Sequence, residues 1–114
     1  MVADDDPGIL DAVCIMLEYE GYEVHCTPDG AELLTMKSGF PELLLLDIWM
    51  SGVDGRDICK QLKQLPATAQ IPIVMISASN DIERSAREAG ANDFLAKPFE
   101  IDALLEKIEK NLRI

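Results

Sequence analysis

The chain has 114 residues, enough for one domain and too few for two. With 48% hydrophobic and 27% charged residues it has the mix of a globular protein, which excludes a disordered tail and a collagen-like repeat. The apolar run at residues 43–46 is far too short to span a bilayer. Ten Lys and Arg against 21 Asp and Glu give a net charge of −11, a surface that repels phosphate backbones and anionic headgroups, so neither nucleic acid nor membrane is expected as a direct partner.

Residues 1–3 are a brief apolar start, followed by Asp4, Asp5 and Asp6. Carboxylates this early leave no room for an apolar leader, and a cytoplasmic location is expected. Asp6 then Pro7 reads as an N-cap with proline at the first helical position, and Leu10, Val13, Cys14 and Leu17 form one helix face that Gly21 ends. Residues 22–26 read as a strand, about 29–37 as a second helix closed by Ser38 and Gly39, and 43–46 as a strand buried on both faces. After a loop ending at Asp54 and Gly55, a third helix is marked by Ile58, Leu62 and Leu65. Residues 71–76 predict a fourth strand, with Pro72 at its start. Asn80 or Asp81 caps a fourth helix that stops at Gly90. Residues 92–96 make the last strand, and Ile101, Leu104, Leu105, Ile108 and Leu112 stripe the closing helix. Five alternations of strand and helix predict an α/β fold, a parallel sheet with helices on both faces. Cys14, Cys26 and Cys59 have no metal-ligand spacing and read as small core residues in a reducing compartment.

In such sheets the site lies beyond the carboxyl ends of the strands. There stand Asp4, Asp5 and Asp6 after the first strand, Asp47 after the third, Ser77 after the fourth and Lys97 after the fifth. Carboxylates converging in a small space need a cation, and an all-oxygen donor set suits Mg²⁺. A lysine and a hydroxyl beside it complete a clamp for a transferring phosphoryl group, with a carboxylate as its nucleophile.

The segments Val2-Ala3-Asp4-Asp5-Asp6-Pro7, Leu43-Leu44-Leu45-Leu46-Asp47 with Met50 and Asp54-Gly55, Ile76-Ser77-Ala78, and Phe94-Leu95-Ala96-Lys97-Pro98-Phe99 together resemble the receiver domain of bacterial two-component response regulators. The resemblance spans the chain, 1–114, as a single domain, stand-alone or belonging to a longer regulator or hybrid kinase. It implies a flavodoxin-like five-stranded sheet of order 2-1-3-4-5. It also implies that Asp47 accepts a phosphoryl group from a phosphohistidine on a sensor kinase or histidine phosphotransfer protein. Such a domain catalyses only its own phosphorylation and dephosphorylation. Mg²⁺ is expected on Asp5, on Asp4 mostly through water, on Asp47 and on the backbone carbonyl of Trp49. Lys97 and Ser77 are expected on phosphoryl oxygens, and the Lys97–Pro98 bond is expected to be cis. Phe94 corresponds to the switch aromatic that follows Ser77, signalling to an output domain or downstream protein. Dimerisation on phosphorylation is common in the family.

The chain departs from the family pattern where Ser51 follows Met50 in place of proline, and its first strand is short. Trp49 is expected to shield Asp47 and slow hydrolysis. Three rivals compete: a haloacid-dehalogenase-type phosphohydrolase with Asp4 as nucleophile and Asp6 as acid/base, a flavin module, and a docking receiver that is never phosphorylated. Against the first, only a helix follows Lys97 where that superfamily looks for a further acidic pair, and the second would place a phosphate against three aspartates.

Overall fold

The computed structural model of the chain describes residues 1–50 and 52–112. Its elements run β1 (Val2–Ala3), α1 (Pro7–Tyr19), β2 (Cys26–Thr27), α2 (Glu32–Thr35), β3 (Leu44–Asp47), β4 (Trp49–Met50), β5 (Val53–Asp54), α3 (Gly55–Gln64), β6 (Ile73–Ser77), α4 (Ile82–Ala89), β7 (Asp93–Ala96) and α5 (Ile101–Leu112). β1, β2, β3, β6 and β7 form one sheet of order β2-β1-β3-β6-β7, with every pairing parallel. Counted over that sheet alone, this is the expected order 2-1-3-4-5. β4 and β5 form a separate antiparallel pair.

The period of two along the central strands divides the core. Leu44 and Leu46 of β3, with Ile73 and Met75 of β6, face α3 and α4, where Ile58, Leu62, Ile82 and Ala86 close over them. Leu45, Val74 and Ile76 face the other way, under Leu10, Val13 and Leu17 of α1 and Leu104 and Ile108 of α5. Each fully buried side chain of this size contributes about 1.5–3 kcal/mol, so two such layers hold the sheet without a metal.

α1 follows expectation: the Asp6 carboxylate accepts from the Gly8 and Ile9 amides at 2.9 and 3.3 Å. Several elements differ. β2 is two residues long because a strand exists only where a neighbour offers ladder groups, and its one neighbour, β1, is two residues long. α2 is a single turn, since the Asp29 carboxylate takes the Ala31 amide and starts the helix late. Leu65 lies past the end of α3 and is 43% exposed rather than buried on its stripe. Asp81 stands at the N-cap of α4, but its carboxylate takes no helix amide; it is held instead by the Ser79 hydroxyl and the Arg84 side chain. The Lys97–Pro98 bond is cis, as expected.

The cysteines call for a correction. Cys14 of α1 and Cys26 of β2 are paired as a disulfide, with Cα atoms 6.5 Å apart; only Cys59 is free, on the buried face of α3 with its thiol pushed up to about 11 by burial. Thiols spaced at 14 and 26 carry no sequence signal for pairing, because the contact is made by folding α1 back over β2. Among the described residues no helix is long and apolar enough to cross a membrane.

Candidate phosphoacceptor site

Parallel register brings the strand ends together. Val2 pairs Leu45 and Ala3 pairs Leu46, so Asp4 and Asp47 follow at the same level on adjacent strands. Ser77 ends β6 one step beyond the residue paired with Asp47, and the Lys97 amide donates to the Ser77 carbonyl at 2.9 Å just past β7. Residues from four strands, 93 positions apart at the extremes, thereby share one end of the sheet.

Asp4 and Asp47 are buried and Asp5 is half-buried; one carboxylate oxygen from each lies within 4.8 Å of the others. The Lys97 ammonium donates to Asp4 Oδ2 at 3.0 Å and lies 3.5 Å from Asp47 Oδ1. Burial, then the charge of Asp4, pushes the Asp47 carboxyl up to about 6, against the pull of Lys97. Burial draws the Lys97 ammonium down, but its hydrogen bond to Asp4 and the charges of Asp47 and Asp4 more than offset this, leaving it raised. Three carboxylates against one ammonium leave two negative charges, which one divalent cation would neutralise. The all-oxygen donor set fits Mg²⁺ in charge and hardness.

The Ser77 side chain is buried and its oxygen accepts the Ser79 amide at 3.1 Å. Trp49 opens β4 two residues past Asp47; its indole is 59% exposed and the Arg56 guanidinium stacks 4.8 Å from the ring centroid. Asp54 holds that guanidinium with two short hydrogen bonds, a pairing that keeps its own carboxyl below the usual range. Phe94 is half-buried on β7 against the α3–α4 layer, with Lys107 Nζ 5.2 Å from its ring centroid. Asp6, bound to the α1 amides and exposed, stands outside the carboxylate cluster. This leaves the phosphohydrolase reading without its acid/base.

Sequence reasoning missed one neighbour. Buried Asp93, beside Phe94, accepts from Lys107 at 2.9 Å and Asn111 at 3.1 Å, tying β7 to α5. A carboxylate at the head of an apolar strand was the available signal, but its partners, 14 and 18 residues on, become visible only once α5 is docked.

The family model for the response regulator receiver domain matches residues 1–109. The "DNA-binding dual master transcriptional regulator RpaA" of Synechocystis is 35% identical over 99% of this chain and 48% of that protein, so the chain spans about half the length of this relative. The name makes that relative DNA-binding, and the expectation of no nucleic-acid partner draws no support from it. Among solved structures, the receiver domain of NtrX from Brucella abortus is 36% identical, covers 97% of this chain and 95% of its own, and has a TM-score of 0.86. A CheY-like receiver domain protein from Methanospirillum hungatei is 31% identical over 97% and 90% of the two chains, with a TM-score of 0.85. These neighbours give the phosphohydrolase alternative no support.

Proposed function

This chain belongs to the response regulator receiver domain family, a family of signalling domains, and on that premise we propose that Asp47 is its phosphoacceptor. The observation that carries the reading is a buried strand-end carboxylate, raised to about 6, set among Asp4, Asp5 and Lys97. At neutral pH Asp47 is ionised and nucleophilic, and a phosphohistidine of a sensor kinase or histidine phosphotransfer protein is the donor. An Asp47 oxygen attacks phosphorus, the P–O bond forms as the P–N bond breaks, and the leaving imidazole takes a proton from solvent.

Asp4, Asp5, Asp47 and the Trp49 carbonyl would hold Mg²⁺, which supplies Lewis-acid neutralisation of phosphoryl oxygens when bound. Lys97, already pointed at Asp47, pairs a second phosphoryl oxygen. The Ser77 hydroxyl donates to a third, and Phe94 turns into the space Ser77 leaves, so that the β6–α4–β7 face changes shape for an output domain, downstream protein or second copy to read. The chain is one domain of this kind, acting alone or within a longer regulator, and it catalyses only its own phosphorylation and dephosphorylation.

Intact mass after incubation with a small phosphodonor, with and without Mg²⁺, tests the assignment on the native protein and Asp47→Asn. One added phosphoryl group that needs both Mg²⁺ and Asp47 is expected. A phosphoryl group gained equally by Asp47→Asn would overturn it.

A further inference from the structure

We propose that the Cys14–Cys26 pair is a reversible redox site that fastens the edge strand β2 to α1 and thereby closes the base of the acidic loop. The disulfide spans 12 residues, and its Cα separation of 6.5 Å lies within the range such bonds adopt. Its position matters because hydrogen bonds complete a ring around it. The Asp4 amide donates to the Thr27 carbonyl at 3.2 Å, and the Asp4 carboxylate takes the Asp6 amide at 3.0 Å. Asp6 caps α1, α1 carries Cys14, and Cys26 precedes Thr27. One side of the ring is thus the segment bearing Asp4 and Asp5; the other is the disulfide.

β2 has little else to hold it. It is an edge strand of two residues, and its ladder partner β1 is equally short. Opening the disulfide leaves this edge to those few hydrogen bonds and to side-chain packing, and releases the cross-link's restraint on the unfolded chain. The chemistry is confined to this pair. Cys59 is buried and its thiol is raised, so it supplies little thiolate. Cys26 is the more exposed of the two bonded sulfurs' residues and is the one an incoming thiolate reaches.

The oxidant is a small-molecule disulfide. Cys14 and Cys26 thiols exchange with it through a mixed disulfide: one S–S bond breaks, one forms, and the two cysteine protons leave on two released small thiols. A dithiol reductant runs the reaction backwards. The result is a domain whose acidic loop is tethered more firmly in an oxidising setting than in a reducing one, independently of phosphorylation.

The test equilibrates the native protein, Cys14→Ser, Cys26→Ser and Cys59→Ser with excess glutathione disulfide or excess dithiothreitol. Thiols are then alkylated in denaturant and counted by intact mass. Of the three cysteines, one is expected to be alkylated in the oxidised native protein and all three after reduction; Cys59→Ser should give none and two. Reduction should lower the melting temperature of the native protein and Cys59→Ser by on the order of 10 °C. Cys14→Ser and Cys26→Ser should melt near the reduced value in either buffer. Hydrogen exchange at residues 4–6 and 22–28 should quicken on reduction. Three alkylated cysteines after oxidation, a pair still closed in excess dithiothreitol, or melting and exchange indifferent to redox state would each overturn the proposal.

Discussion

Asp47 is asked to be both buried and ionised, and the two demands conflict. Its carboxyl is raised from an ordinary 3.8 to about 6, first by burial and then by the charge of Asp4. A carboxyl raised in the folded state holds its proton more tightly there than when unfolded. Stability from this group is therefore fully present below about pH 4 and falls as pH rises through about 6. Asp47→Asn removes the titration while leaving Lys97 its bond to Asp4 at 3.0 Å. In divalent-free buffer that variant should be more stable than the native protein by about 2 kcal/mol at about pH 7.5, with the difference gone near about pH 4. Urea unfolding at the two pH values measures it, and a pH-independent difference would show that Asp47 is not the strained group. Trp49 is the other residue expected to act on this carboxylate. Its exposed indole, on the second residue after Asp47 in the chain, is stacked by Arg56. Trp49→Asn should speed loss of the phosphoryl group severalfold, and an unchanged dephosphorylation rate would refute the shielding role.

α3 begins where the acceptor strand ends, and the two backbones touch. The Gly55 amide donates to the Ile48 carbonyl at 2.6 Å, and a Cβ on Gly55 would run into the Asp47 carbonyl oxygen and come within 3.0 Å of Ile48 Cα. Those are backbone atoms of a buried strand end, so no side chain can swing aside. Gly55→Ala should cost roughly 2–4 kcal/mol in urea unfolding, and a cost below about 0.5 kcal/mol would mean that the approach is looser than it stands. The same junction shows what a sequence reveals and what it withholds. Asp54-Gly55 was readable as a turn into a helix, and α1, with its cap, proline and apolar stripe, was readable almost to the residue. The tight seat of Gly55 under Asp47 was not, because it joins elements through space. β2 and the β4–β5 pair were misjudged or unseen for a related reason: two-residue ladders have no period of their own and take their length from a partner. Among site residues, Asp4, Asp47, Ser77 and Lys97 were legible as strand-end groups. The strand order that makes them neighbours came from family resemblance, and the Asp93–Lys107 tie needed the docked α5.

A net charge of −11 on 114 residues means that the folded chain repels itself, and the three clustered carboxylates are the sharpest point of that repulsion. Two kinds of cation should therefore stabilise the domain in distinguishable ways. Sodium screens exposed charge generally, within a Debye length of about 8–10 Å at moderate salt, and acts on the surface as a whole. Mg²⁺ at the carboxylate cluster would act by mass action on the folded state alone, adding RT ln(1 + [Mg²⁺]/Kd), which is about 1.4 kcal/mol at ten times Kd. At equal ionic strength, MgCl₂ should raise the melting temperature of the native protein further than NaCl does. Asp5→Asn, which removes one of the three carboxylates and leaves Lys97 with Asp4 and Asp47, should keep the sodium response and lose the magnesium increment. Parallel melting curves in the two salts measure the difference directly. An increment that survives in Asp5→Asn would place the ion elsewhere on the acidic surface and separate the acceptor carboxylate from its proposed metal.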